Sequence, residues 1–189
     1  MKALMIDIET LGLAPTSLAH QIGFCAADLF TGEYLLHPTN IFVAPQAGTS
    51  MDFNTICWWM NQSDAARAAV YPPEQYRIPA ALVFYQLKEA YENLGGKDAG
   101  VTVWASPAMF DLPILTHAFG IARPDLNEAK PWPYYMERDL MTLYKMLDPE
   151  KKLKPTNPIE HDAASDAKAQ MDHLIAIFQA NSTLLQGAK

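Results

Sequence analysis

Only two cysteines occur in the 189 residues, Cys25 and Cys57, both among apolar neighbours and without C-x-x-C spacing. They read as reduced, packed thiols, and a disulfide framework is not needed at this chain length. No run approaches the ~18 apolar residues that a bilayer crossing requires. The N-terminus reaches an acid, Asp7, before any secretory apolar region builds up. We therefore expect no membrane partner and a cytoplasmic protein. Basic residues are few: 14 Lys and Arg stand against 21 Asp and Glu, a net charge of −7. That balance argues against a protein coating long nucleic acid, where cations must neutralise phosphates. It leaves room for an enzyme gripping a few nucleotides. Charged residues make up 19% and hydrophobic ones 50%, which excludes disorder and suits one domain over residues 1–189.

Along the chain, an apolar strand over 3–8 is followed by a Gly- and Pro-marked loop at 10–15. Residues 21–30 and 33–43 read as two more strands joined at Thr31-Gly32, which suggests an antiparallel meander. From Ser50 the pattern becomes helical, with segments at 55–60 and 63–70, then 79–94 ended by Gly95-Gly96. A short strand is expected at 101–105 and helices at 110–119, 137–147 and 163–178. Proline-rich stretches at 131–133 and 155–158 read as surface connections. A meander followed by alternating helices and strands predicts an α/β domain. The expected arrangement is a ribonuclease H-like mixed sheet of five to six strands flanked by helices.

Three acidic segments carry the chemistry. In Asp7-Ile8-Glu9-Thr10 the acids are two apart at a strand end, so both leave one face while Ile8 enters the core. Two such acids repel one another unless a cation relieves them, and oxygen ligands suit Mg²⁺ or Mn²⁺. Solvated acids on an edge strand are the plainer reading of that pair alone. Asp111 follows Phe110 on the first turns of a helix, where an acid is also favoured by the helix terminus. In His161-Asp162-Ala163-Ala164-Ser165-Asp166, Asp162 can cap the next helix, and three small residues permit close approach. Five residues turn an ideal helix through about 140°, so His161 must sit in the entry loop and flank Asp166.

The order and types of these segments resemble the DEDD superfamily of 3′–5′ exonucleases, with motifs DxE(T), a strand–helix segment ending in FD, and HxxxD or HxxxxD. The His161–Asp166 spacing resembles the histidine branch, DEDDh. The likeness spans residues 7 to 166. The second motif departs from it, since Trp104-Ala105-Ser106 stands where Asn commonly begins that motif. A closer likeness lies in Trp58-Trp59-Met60-Asn61-Gln62-Ser63-Asp64-Ala65-Ala66-Arg67 and in Arg138-Asp139-Leu140. Both are similar to RNase AS-type exoribonucleases of mycobacteria and their bacterial and phage relatives.

The resemblance implies that Asp7, Glu9, Asp111 and Asp166 hold two divalent ions, Mg²⁺ or Mn²⁺, and that His161 deprotonates the attacking water. Two ions about 3.5–4 Å apart can serve an in-line displacement. Such ions would also cancel four of the acids in the net charge. The implied substrate is the 3′ end of single-stranded RNA, released as nucleoside 5′-monophosphates, with a homodimer as a family expectation. Thr10, Leu11 and Gly12 are expected near the terminal nucleotide. Trp58 and Trp59 are candidates for base stacking, although at least one reads as core. Arg67 and Arg138 are phosphate candidates, and Arg67 can equally pair with Asp64 three residues away. The run Lys151-Lys152-Leu153-Lys154 reads as a solvated loop that could also receive phosphates. His20, His37, His117 and His173 read as structural. A 3′–5′ DNA exonuclease and a non-catalytic binding module of the same fold remain alternatives. A haloacid-dehalogenase-type phosphatase is disfavoured, since that chemistry expects a second Asp where Glu9 stands.

Overall fold

A computed structural model describes residues 1–70, 72–126, 130–157 and 159–185. Its centre is a six-stranded sheet, and β1 (Lys2–Thr10), β2 (Ala19–Asp28) and β3 (Tyr34–Val43) form the expected antiparallel meander. Side-chain alternation splits β1 between two cores. Leu4, Ile6 and Ile8 enter one with Val83, Phe84, Leu115 and Phe119. Ala3 and Met5 enter the other with Leu140, Met171 and Leu174. Helices thus cover both faces, as the mixed α/β reading required.

Helices α1 (Phe53–Met60) and α2 (Asp64–Val70) follow the meander; Asp52 caps the first by accepting the Thr55 N–H. Strand β4 (Arg77–Ile78) then pairs parallel with β3, and α3 (Ala80–Asn93) covers the first core. This two-residue strand lay within no expected element, being too short to show alternation. Strand β5 (Thr102–Ala105) lies parallel beside β1, and α4 (Ala108–Ala122) leaves its carboxyl end.

The expected helix at 137–147 is corrected at its start. Glu137–Asp139 form β6, paired parallel with β5, and α5 covers only Leu140–Leu147. The reason is Asp139, which stays extended as the cap and accepts the Thr142 N–H at 2.8 Å. Its other oxygen accepts the Ala108 N–H at 2.8 Å, tying the starts of α4 and α5 together. Strand order is therefore β4-β3-β2-β1-β5-β6.

The last long helix, α6 (Ala163–Ala180), crosses β1 and β2 on the second-core face. Its first turn lies against Gly23 of β2, where an added Cβ would sit 2.0 Å from Ala163 backbone atoms. Gly23 stands directly opposite Asp7 in the β1–β2 register. The missing side chain beside Asp7 is thus the space that admits the α6 terminus. Asp162 fastens that terminus, accepting hydrogen bonds from Gln21 (2.9 Å), Asn40 (2.6 Å) and the Ser165 N–H (3.0 Å). Of the expected proline connections, 131–133 is a loop that leads into a short helical turn at Tyr134–Met136, while Pro158 lies outside the described residues. Among the described residues no helix is long and apolar enough to cross a membrane.

Candidate active site

The carboxyl end of the interior strand β1, the first turns of α4 and the first turn of α6 come together. Asp7 and Glu9 leave β1 on the α6 side while Ile8 enters the opposite core. Ligand oxygens of Asp7, Glu9 and Asp166 lie within 4.8 Å of one another. Asp111 is buried on α4, with one carboxylate oxygen, Oδ2, left without a hydrogen-bond partner.

These acids are held by neutral donors rather than by cations. Gln170 Nε2 donates to Asp7 Oδ1 at 2.6 Å. Asn157 Nδ2 donates to Asp166 Oδ1 at 2.6 Å, and the His161 backbone N–H donates to Asp166 Oδ2 at 3.0 Å. Ser165 Oγ donates to Asn157 Oδ1 at 2.7 Å, which turns the amide so that its nitrogen faces Asp166. Such outer partners orient ligands around a metal. Sequence reasoning missed Asn157 and Gln170. Gln170 was findable, being four residues after Asp166 on one helix face; Asn157 sits in an irregular loop that gives no periodic signal.

Crowding these acids together raises their proton affinity. Burial, then the charges of Asp111, Glu9 and Asp166, lifts the Asp7 carboxyl well above the usual range. Burial and then Asp166 and Asp111 push Glu9 up to about 8. Burial raises Asp111 to about 7, and burial also raises Asp166. A cluster that resists ionisation when alone is one that a divalent cation stabilises strongly. The donor set is all oxygen, which suits hard cations such as Mg²⁺ or Mn²⁺. The residues present therefore fit a divalent metal site.

His161 occupies the loop before the Asp162 cap, with φ of 62°. A non-glycine residue in that left-handed region costs of order 1–3 kcal/mol and persists only where its surroundings impose it. Here its N–H is committed to Asp166, and its ring stands edge-on to Trp58 at 4.8 Å between centroids. The two tryptophans divide as sequence could not resolve. Trp59 is 3% exposed and donates its indole N–H to the Thr10 carbonyl at 2.8 Å. Trp58 is 45% exposed and lines a cleft of about 730 Å³ with Glu9, Thr10, Leu13, Asn54 and Phe110.

The remaining candidates are distributed as follows. The Thr10 hydroxyl donates to the Gly12 carbonyl at 2.7 Å, so this turn is closed on itself. Leu11 spends its N–H on Leu18 and its carbonyl on the Asp52 N–H. Arg67 donates to the Gln62 carbonyl at 2.6 Å and pairs with Asp64, so it fastens the α1–α2 junction. Arg138 donates to the Tyr135 and Glu137 carbonyls and lines a separate cleft with Met109 and Tyr134 beside the start of α4. His173 is buried against the Asp148 carboxylate at 2.8 Å. His20 is buried edge-on to Trp59, and burial lowers its pKa to about 4. Cys25 is buried and Cys57 partly so, both free.

The site is thus a mixed six-stranded sheet with acids at the carboxyl end of β1, flanked by the His161 loop. The family described as the Rv2179c-like 3′–5′ exoribonuclease domain is matched over residues 2–178, and the chain belongs to that family. Solved structures share the fold at low identity. Escherichia coli exonuclease I in its zinc-bound complex with single-stranded DNA aligns with TM-score 0.68 and 16% identity, covering 98% of this chain and 42% of that one. Its complex with a dT13 oligonucleotide aligns with TM-score 0.66 and 16% identity, covering 98% and 43%. Exonuclease I from Methylocaldum szegediense gives 0.65 and 14%, covering 98% and 42%. The chain thus spans about two fifths of those proteins' length. No curated protein matches it by sequence.

Proposed function

We propose that this protein is a 3′–5′ exonuclease that removes nucleoside 5′-monophosphates from single-stranded RNA. The observation that carries the reading is the convergence of Asp7, Glu9 and Asp166 oxygens within 4.8 Å, with Asp111 buried beside them. Those four acids would hold two Mg²⁺ or Mn²⁺ ions, which when bound neutralise charge developing on the phosphate and lower the pKa of the attacking water. His161 takes the proton from that water, a task an imidazole nitrogen can perform.

The protein's own residues then arrange the strand. The cleft lined by Glu9, Thr10 and Trp58 accepts the terminal nucleoside, with the exposed Trp58 face available for its base. Thr10 through Gly12 form the floor of that turn, and Trp59 supports it from below through the Thr10 carbonyl. In-line attack from the His161 side sends the departing 3′-oxygen the opposite way. The strand therefore leaves past Asp111 toward Arg138. Arg67 supports Trp58 indirectly by fastening the end of α1.

RNA is favoured by the family's description as an exoribonuclease. DNA is a second reading because the similar exonuclease I structures include complexes with single-stranded DNA. A cytoplasmic homodimer belongs to the same proposal. The test uses matched 5′-labelled RNA and DNA oligonucleotides with Mg²⁺ or Mn²⁺, against Asp7→Ala and EDTA. A descending ladder on RNA, abolished in both blanks, is expected. A ladder on DNA alone would replace the substrate assignment, and silence on both would leave a binding module.

A further inference from the structure

We propose that Lys151 and Lys154 form a phosphate subsite on the His161 side of the acidic centre. It holds the 5′-phosphate of the terminal nucleotide as that nucleotide is cut free. The proposal rests on the 3′–5′ hydrolysis above.

The backbone of the run Lys151-Lys152-Leu153-Lys154 is pinned to the fold, while its three lysine side chains stay exposed. Asp148, buried at the end of α5, accepts His173 Nε2 at 2.8 Å, the Lys152 N–H at 2.9 Å and the Leu153 N–H at 3.0 Å. Leu153 packs against the second core. The Lys151 N–H donates to the Asp148 carbonyl at 2.9 Å, and Lys151 itself is held at φ 52°. This scaffold sorts the three lysines. All three are exposed, and Lys152 is paired with Glu150. Lys151 and Lys154 instead line a cavity of about 360 Å³, with Asn157, His161, Asp166 and Gln170 on its other walls. The Lys151 ammonium rests 4.9 Å from the Tyr144 ring centroid, and among the described residues neither lysine forms an ion pair. Glu160 is the other acid on that wall.

Two cations free of ion pairs, presented by a pinned loop at one cavity, can receive an anion, and the proposed hydrolysis would generate one beside them. The water oxygen bonds to phosphorus from the His161 side, its proton passes to His161, and the bond to the 3′-oxygen breaks. That oxygen leaves with the bonding pair on the shortened strand and takes a proton from solvent. The phosphorus inverts toward His161, and the new oxygen emerges on the lysine side. The phosphate has changed from a diester monoanion to a monoester that carries up to one more negative charge. A subsite of two ammonium groups is thus best matched to the product.

The test measures equilibrium binding of the four ribonucleoside 5′-monophosphates and their nucleosides to the Mn²⁺-loaded protein. The Lys151→Gln/Lys154→Gln double variant is compared with Lys152→Gln, and melting temperature checks the fold. The double variant should bind the monophosphates about tenfold or more weakly, a scale set by charge-assisted hydrogen bonds. Nucleoside binding should not change, product inhibition should be relieved in parallel, and Lys152→Gln should behave as wild type. An unchanged ratio of monophosphate to nucleoside affinity would overturn the proposal. So would tighter Mn²⁺ binding with that ratio unchanged, which would mean the lysines only offset the carboxylates. Either result with RNA trimming intact defeats the subsite alone; wild-type protein that trims nothing defeats the hydrolysis reading.

Discussion

Gly23→Ala probes how closely the metal site depends on backbone packing. The new Cβ would lie 2.0 Å from both the carbonyl carbon and oxygen of Ala163 and 2.3 Å from the Ala164 nitrogen. Ordinary contact begins near 3.4 Å, so the start of α6 must retreat by roughly 1 Å or more. Gly23 is not in the left-handed region, so the effect is one of space and not of backbone strain. Because the atoms struck belong to the main chain, no trimming of a side chain can relieve them. The retreat carries Asp166 and His161 away from Asp7 and Glu9, which stay on β1. Overpacking of this kind costs roughly 1–3 kcal/mol, and a protein of this size loses about 2–4 °C per kcal/mol. A displacement of ~1 Å at the site can cost about 100-fold in turnover. Calorimetric Mn²⁺ titration, melting temperature and RNA trimming rate together read the result. Near-normal metal affinity and turnover in a folded Gly23→Ala protein would refute the reasoning.

The two tryptophans should separate cleanly. Trp58→Ala should weaken oligonucleotide binding by about 1–3 kcal/mol with little change in melting temperature, whereas Trp59→Ala should cost about 3–5 kcal/mol of stability. Equal effects on both readouts would contradict the assignment. His20→Phe should alter the pH dependence of stability. The folded His20 value of about 4 lies below the ordinary one, so the unfolded chain is protonated first. The stability it confers above pH ~6.5 is lost as pH falls, by about 3 kcal/mol near pH 4. Denaturant curves of wild type and variant should therefore diverge below pH ~6.5, the variant becoming relatively more stable; parallel curves would refute this. Mg²⁺ or Mn²⁺ should raise the wild-type melting temperature but raise that of Asp7→Ala much less, since a ligand binding only the folded state stabilises it.

The meander was legible from the apolar run of β1 and the turn at Thr31-Gly32, and the helical layers from the longer patterns of α3 and α6. Strand geometry, in which residues two apart share a face, put Asp7 and Glu9 together with Ile8 in the core, and the structure has that arrangement. Strands β4 and β6 escaped because two or three residues carry no period. At β6 the helical pattern also ran backward through Glu137, while Asp139 needed an extended backbone to cap α5. The role of Gly23 was hidden, since a glycine in a strand says nothing about which helix crosses it. The division of Trp58 from Trp59 depends on the Thr10 carbonyl, 49 residues away. The lysine run is exposed as the sequence reading had it, but the buried Asp148–His173 pair that anchors its backbone joins residues 25 apart and gave no local signal.

The measurement that tests the central claim most directly replaces a non-bridging oxygen of the terminal phosphodiester with sulfur. Cleavage rates in Mg²⁺ and in Mn²⁺ are then compared. If the carboxylate cluster holds ions that touch this phosphate, the substitution should slow cleavage strongly in Mg²⁺, a hard cation that binds sulfur poorly. Mn²⁺ should restore much of the rate, and Asp7→Ala should be inactive with either ion. An equal effect of sulfur in both metals, with Asp7→Ala still cutting, would contradict the account.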